Sequence, residues 1–141
     1  MNIVVCISSV PDTTSKINFT DQGSKFDSNG VQFVINPYDE FGLTKAMMLK
    51  EATGGKVIVI TVGNASVEPV IRKSLAIGAD AAVRINMNAT DSYSTANEIA
   101  NYLNNNPADL IITGRESIDY NGGADATPNN TNGSVDLTLV K

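Results

Sequence analysis

The chain has 141 residues, 42% hydrophobic and 18% charged, which suits one globular domain and excludes the composition of a disordered chain. Its net charge of −5 argues against binding to nucleic acid, since that requires clustered Lys and Arg. A single Cys and the lack of His exclude an intrachain disulfide, a His-activated nucleophile and a His metal site.

The first predicted element is a strand, because residues 2–8 form an apolar, β-branched run. Pro11 and Asp12 then break the run, since Pro lacks an N–H and Asp favours turns. Neither a basic segment nor a signal cleavage site accompanies the strand, and it is too short to cross a bilayer. We therefore expect a cytoplasmic protein without direct membrane insertion.

A small hairpin and a helix are predicted next. Lys16 to Thr20 and Val31 to Ile35 flank a stretch rich in turn-forming residues, so we expect the two segments to pair. Asn36-Pro37 then favours a helix start, because Asn can cap a helix and Pro suits its first position. Gly54-Gly55 is predicted to end this helix.

Strands and helices alternate through the rest of the first 123 residues. Three further strands are predicted over residues 57–62, 81–85 and 109–114, and the first is apolar throughout, as in a strand buried on both faces. One helix between them is predicted to be capped by Ser66, and another to begin near Asp91. This alternation predicts an α/β fold with a doubly wound parallel sheet between two helical layers.

The pattern changes after Gly123. Residues 125–134 have no periodicity, and only Val135 to Val140 alternates like a short strand. We therefore expect an α/β domain over residues 1–123 and a largely irregular tail, or an added edge strand, over residues 124–141.

The loop after the last core strand is the first candidate ligand site. In open parallel sheets, ligands bind outside the carboxyl ends of the strands, where the strand order reverses. A loop with glycines, a hydroxyl and a cation can bind phosphate, although a plain surface turn is the more common interpretation. The candidate residues are Gly114, Arg115, Glu116, Ser117, Ile118, Asp119, Asn121, Gly122 and Gly123.

The start of the first helix and two strand ends are weaker candidates. Helix capping is the favoured interpretation of Asn36-Pro37-Tyr38-Asp39, and the alternative is a wall for an adenine ring. Cys6 is predicted to be a buried structural thiol, and Arg115 is slightly more typical of a surface ion pair than of a ligand contact. Walker, G-x-G-x-x-G and S-G-G-x-D-S phosphate motifs are absent from the sequence.

Four blocks in order resemble the β subunit of electron-transfer flavoproteins. The match covers residues 1–123, and it is specific because the blocks occur together. They are Val4-Val5-Cys6 with Val10-Pro11-Asp12-Thr13, Ile35-Asn36-Pro37-Tyr38-Asp39-Glu40-Phe41, Ile71-Arg72-Lys73-Ser74-Leu75-Ala76-Ile77-Gly78-Ala79-Asp80, and Asp109-Leu110-Ile111-Ile112-Thr113-Gly114-Arg115-Glu116-Ser117-Ile118-Asp119.

The resemblance implies a Rossmann-like, HUP-type adenine-nucleotide domain in an electron carrier that has no catalytic residues of its own. In that family an AMP is buried in the β subunit, and the α subunit holds most of the FAD. Electrons pass from flavoprotein dehydrogenases, such as those for acyl-CoA, to a quinone oxidoreductase. Carried onto this chain, the AMP contacts are Cys6, Asn36 to Asp39, Val62 and Gly114 to Gly123.

The sequence departs from the family in three ways. Many members carry a basic residue where Ser8 stands, and a polar residue and glycines usually follow where Ala124 stands. The family's remaining strands, dehydrogenase recognition loop and C-terminal arm are absent, so the chain is expected to be incomplete. Alternatives are an electron-bifurcating type with a second FAD in place of AMP, a stand-alone AMP or ATP-binding module, and, least favoured, an ATP-dependent synthase.

Overall fold

The computed structural model describes residues 1–88 and 91–119, and the backbone of residues 125–131 and 134–140. Its central feature is a four-stranded parallel sheet built from β1 (Asn2–Cys6), β6 (Lys56–Val62), β7 (Ala81–Ile85) and β8 (Leu110–Ile112). The strand order is β7-β6-β1-β8, and every neighbouring pair is parallel. The predicted α/β parallel sheet is therefore confirmed.

Three helices cover the two faces of this sheet. Residues of α1 (Pro37–Thr53) and α2 (Glu68–Ile77) pack with one set of alternating strand residues, among them Val5 and Val59. Residues of α3 (Ser92–Asn105) pack with the other set, which includes Val4 and Ile60. Because successive strand residues point to opposite faces, continuous apolar strands are what this three-layer arrangement requires.

The helix boundaries follow local signals, with one exception. Pro37 begins α1 and Gly54 follows its last residue, as predicted. Asp91 caps α3 in a capping box with Ser94, and the Asp91 Oδ1 accepts from the Ser94 N–H at 2.7 Å. The prediction of a Ser66 cap is wrong, because the Asn64 side chain instead accepts from the Ser66 N–H at 2.9 Å and caps a short 3₁₀ turn before α2.

The segment between β1 and α1 pairs differently from the prediction. Strand β3 (Asn18–Thr20) pairs with β4 (Lys25–Asp27) across a four-residue connection, and β5 (Phe33–Ile35) pairs with β2 (Ser9–Pro11). Closing the short loop costs less chain entropy than joining the two more distant segments. The expected hairpin between Lys16 to Thr20 and Val31 to Ile35 is therefore wrong.

The tail also differs from the expected irregular segment or added edge. Strand β9 (Asp125–Thr131) pairs in antiparallel fashion with β10 (Ser134–Val140), as a separate two-stranded sheet. The strand predicted at Val135 to Val140 is present, but residues 125–131 are not irregular. The sequence signal for this pairing is Asn132-Gly133, the dipeptide most typical of a two-residue hairpin connection.

Candidate functional site

The strand order reverses between β1 and β8. From β1 the chain moves outward to β6 and β7 with α1 and α2 on one face, and α3 then leads back to β8 on the other side of β1. In open α/β sheets the ligand crevice lies outside the carboxyl ends of the strands at such a point. We name the region between Ser8, which follows β1, and Gly114, which follows β8, the switch-point crevice.

Asp39 joins the two sides of the switch-point crevice. It lies in the first turn of α1, is 6% exposed, and its Oδ2 accepts from the Ser8 N–H at 2.8 Å and from the Ser8 hydroxyl at 2.7 Å. Its Oδ1 lies so close to Gly114 that a Cβ on Gly114 would stand 1.9 Å away. Glycine at position 114 is therefore what allows the carboxylate to reach the end of β8.

Burial raises the pKa of Asp39. Desolvation is the largest cause, and hydrogen bonds from Ser8, Asn36 and Gly114 oppose it by stabilising the charged form. Every one of these donors is neutral, so no cation contributes to the balance. The net result is a carboxyl group that holds its proton more tightly than an exposed aspartate does.

Asn36 does not cap α1, and the favoured interpretation of this residue is wrong. Its side chain makes no capping hydrogen bond; instead Nδ2 donates to the carbonyl of Glu116 at 2.8 Å, and Oδ1 accepts from the N–H of Ile118 at 3.3 Å. The Asn36 N–H also donates to the carbonyl of Ser8 at 2.9 Å. Asn36 is 2% exposed, and these contacts tie the loop after β8 to the exit of β1.

The other two residues of the α1 start lie at the surface or near it. Pro37 is exposed and occupies the first turn, where its missing N–H costs nothing. Tyr38 is half-buried. Their role as a wall for an adenine ring stays a prediction.

The loop after β8 carries one cation and two acids. Arg115 is exposed and makes no ion pair within the described ranges 1–88 and 91–119. The Ser117 hydroxyl hydrogen-bonds to the Asp119 carboxylate, so the hydroxyl predicted for phosphate already has an acidic partner. Asn121, Gly122 and Gly123 lie outside the described residues. The phosphate prediction for the loop therefore depends on Arg115 and on backbone groups.

Cys6 and Val62 end neighbouring strands. Burial, with a smaller contribution from the nearby Asp39 charge, raises the pKa of the Cys6 thiol to about 12, which favours the predicted structural role. Val62 pairs with Ile85 at the end of β6 and packs against the core under α3. Both residues line the carboxyl edge of the sheet, so the structure brings them to the same edge as Asp39 and Gly114.

Ser8 lies in the crevice but was not among the predicted ligand contacts. Its backbone and its hydroxyl hold Asp39, and its carbonyl accepts from Asn36, so it contacts both polar residues of the α1 start. The available signal was its position directly after a buried strand, at the edge where ligands bind in this fold class.

Other kinds of site find little support in the described part of the chain. A cavity of about 300 Å³ lies at the opposite, amino-terminal edge of the sheet, and its lining is Asn2, Val4, Ile58, Tyr102, Asn105, Asn106 and Pro107. It is separate from the switch-point crevice. Among residues 1–88 and 91–119, no three acidic or Cys side chains gather closely enough to hold a metal ion. None of the helices in these ranges has the length and apolar character to cross a bilayer.

Comparison of the sequence with those of known proteins identifies the family of this chain. A sequence profile of the electron transfer flavoprotein domain matches residues 24–128. The chain is 35% identical over 127 residues to the electron transfer flavoprotein subunit beta of Bacillus subtilis, covering 87% of this chain and 49% of that protein. It is also 36% identical over 126 residues to protein FixA of Azotobacter vinelandii, covering 84% and 44%.

A third relative carries a different name. The acryloyl-CoA reductase electron transfer subunit gamma of Anaerotignum propionicum is 32% identical over 125 residues, which cover 84% of this chain and 46% of that subunit. The chain thus spans slightly less than half the length of these relatives. On the profile match and these identities, the chain belongs to the electron transfer flavoprotein family and resembles its β subunits.

Proposed function

We propose that this chain is the nucleotide-binding part of a β-type electron-transfer flavoprotein subunit and that it binds AMP at the switch-point crevice. The observation that carries the proposal is the loop 114–118, which follows β8 at the reversal of strand order and is tied to the start of α1. Ligand sites in doubly wound sheets form at this place. Membership of the family supports adenine nucleotide as the ligand class.

The residues at the crevice fit a nucleotide monophosphate through their cation and their backbone. Arg115 has a guanidinium without an ion-pair partner in the described ranges, and such a group can donate two parallel hydrogen bonds to a phosphate. Ser117 would contribute its backbone N–H. Cys6, Val62 and the backbone of residues 36–39 would form the walls around the nucleoside. AMP is redox-inactive, so its contribution would be to stabilise the fold of this domain.

The redox role requires partners. We propose that an α subunit holds most of the FAD, which accepts and passes on the electrons when bound. Flavoprotein dehydrogenases would supply those electrons and a quinone oxidoreductase would receive them, with this chain in the cytoplasm. The names of the relatives support a subunit role in electron transfer. Within this chain, the residues would bind AMP, contact the α subunit and perform no chemistry of their own.

The test is co-expression of the chain with a matching α subunit, followed by purification and acid release of the bound nucleotides. The expected result is a yellow heterodimer with one FAD and one AMP. Two FAD molecules and no AMP would instead indicate the electron-bifurcating type. A colourless preparation in which the two chains do not co-purify would contradict the proposal.

A direct titration tests the nucleotide site. The chain is titrated calorimetrically with AMP and ATP, alone and as the heterodimer stripped of nucleotide. Arg115→Ala is expected to weaken AMP binding by about tenfold or more, because a hydrogen bond to a charged group is lost. Arg72→Ala is the matched control, since Arg72 is an exposed arginine on α2 whose partner is Glu68. Binding by the isolated chain with no α-subunit association would favour the stand-alone module.

A further inference from the structure

We propose that the first turn of α1 is a clamp that positions the 114–118 loop. In this proposal the side chains of Asn36 and Asp39 position the loop and do not bind the nucleotide, and the identity of the ligand rests on the function proposed above. Two attachments at different points of the loop carry the inference. Asn36 holds the loop at Glu116 and Ile118, and Asp39 holds its beginning at Gly114.

The carboxamide of Asn36 is occupied at both ends. Nδ2 donates to Glu116 at 2.8 Å and Oδ1 accepts from Ile118 at 3.3 Å, across 80 and 82 residues of sequence. A carboxamide offers one donor edge and one acceptor edge, as a peptide group does. The Asn36 carboxamide therefore forms the hydrogen bonds to residues 116 and 118 that a neighbouring strand would otherwise form. With 2% of its surface exposed, Asn36 has almost none left for a ligand.

The loop needs such a substitute. Among the described residues, β8 has a neighbour only on its β1 side, and the parallel pairing of those strands ends at Val5 and Ile112. Beyond that point the backbone groups of the loop have no strand to bond. Because Asn36 engages residues 116 and 118, the alternate residues Arg115 and Ser117 stay free of it and are available to a ligand.

Asp39 fixes the other end of the loop. Its carboxylate is held by the Ser8 N–H and hydroxyl on one side and lies against Gly114 on the other. The Asp39 N–H lies 3.0 Å from the position that a Cβ of residue 114 would occupy. The start of the loop therefore contacts both the backbone and the side chain of Asp39, which leaves it little freedom to shift.

Amide hydrogen exchange measured by NMR on the ligand-free chain tests the clamp without any nucleotide. In the wild type, the Ile118 N–H is expected to be protected, although it lies in neither a helix nor a strand. In Asn36→Ala its exchange is expected to accelerate about tenfold more than that of the β1 amides, because its acceptor is removed. Ser74→Ala is the matched control, since it also removes a buried side-chain hydrogen bond but lies in α2.

The outcomes separate the clamp from the proposed function. An unprotected Ile118 amide in the wild type overturns the clamp even if Asn36→Ala does not fold. Equal acceleration of exchange at the Ile118 and β1 amides in Asn36→Ala also overturns the clamp. Weaker AMP binding by Asn36→Ala with normal Ile118 exchange overturns it too, because Asn36 would then contact the nucleotide directly. Failure of the wild type to bind AMP contradicts the proposed function and leaves the exchange result to decide the clamp.

Discussion

Replacing Gly114 with alanine tests the geometry of the crevice most directly. The backbone at Gly114 has no positive φ, so alanine is not strained by conformation. Its Cβ would instead stand 1.9 Å from Oδ1 and 3.1 Å from Cγ of Asp39, far inside contact distance. The carboxylate must therefore move, which disturbs its hydrogen bonds with Ser8.

The size of the effect follows from the hydrogen bonds at risk. Two donors on Ser8 bond the carboxylate at 2.7 and 2.8 Å, and a hydrogen bond to a charged group contributes about 1.5–3 kcal/mol. Losing one bond fully and straining the other gives an expected decrease of about 2–4 kcal/mol in the free energy of unfolding. Urea denaturation followed by circular dichroism measures it, with an unchanged m-value as evidence that only stability changed.

A double-mutant cycle identifies the cause. In the Asp39→Ala background the displaced carboxylate is absent, so Gly114→Ala is expected to cost about 1 kcal/mol or less, giving a coupling of about 2 kcal/mol. Gly42→Ala is the control glycine substitution, since its Cβ would meet only the ends of the Ile112 and Val5 side chains. An equal cost of Gly114→Ala in both backgrounds would refute the argument.

Three further predictions concern Asp39, Gln22 and Cys6. Folding raises the pKa of Asp39, so the folded chain binds this proton more tightly than the unfolded chain does. The free energy of unfolding of the wild type, relative to that of Asp39→Asn, should therefore fall as the pH rises from the ordinary carboxyl pKa through the raised one. Urea titrations across that pH range measure the difference. Asp80 and Asp91, whose pKa values are lowered, act in the opposite direction but are present in both proteins. Gln22 has a φ of 58° beside Asp21 at 52°, so Gln22→Gly should raise stability by about 0.5–1 kcal/mol in thermal unfolding, and Gln22→Ala should not. Because the pKa of Cys6 is about 12, iodoacetamide should alkylate the folded chain at pH 8 roughly a thousandfold more slowly than the chain in urea.

Each of these has an outcome that would contradict it. A pH dependence with the opposite sign would mean that the donors around Asp39 outweigh its desolvation. Equal stabilisation by Gly and Ala at position 22 would show that the left-handed backbone conformation of Gln22 is not the cause of the gain in stability. Rapid alkylation of Cys6 in the folded chain would show that the thiol is not shielded at the end of β1.

Local sequence signals were sufficient for the parallel sheet and its helices. Apolar β-branched runs mark the four core strands, and Pro37, Gly54 and the Asp91 capping box mark helix ends, because each of these effects acts within a few residues. Asp80, the last residue of the Ile71 to Asp80 block, instead acts over a distance: it accepts from the Val57 N–H at 2.8 Å and from Lys50 at 2.7 Å, so it holds the turn before β7.

The polar residues of the crevice could not be predicted in this way. An asparagine before Pro37 matches a helix cap, and only the fold shows that its partners are Glu116 and Ile118. An aspartate in a first helical turn is explained locally by the helix dipole, yet its bonds run to Ser8. Contacts between residues some 30 to 80 positions apart depend on strand order, which no local window contains.

Ser8 supplies Asp39 with two neutral hydrogen-bond donors. A cation beside Asp39 would lower the pKa of its carboxyl. With serine, only neutral donors oppose desolvation, and the pKa of Asp39 is raised. The crevice and its loop also contain the acidic residues Asp39, Glu116 and Asp119, whereas Arg115 is the single cation of the loop. A bound phosphate would accordingly be held by Arg115, and Arg115→Ala would remove the one cation of the loop.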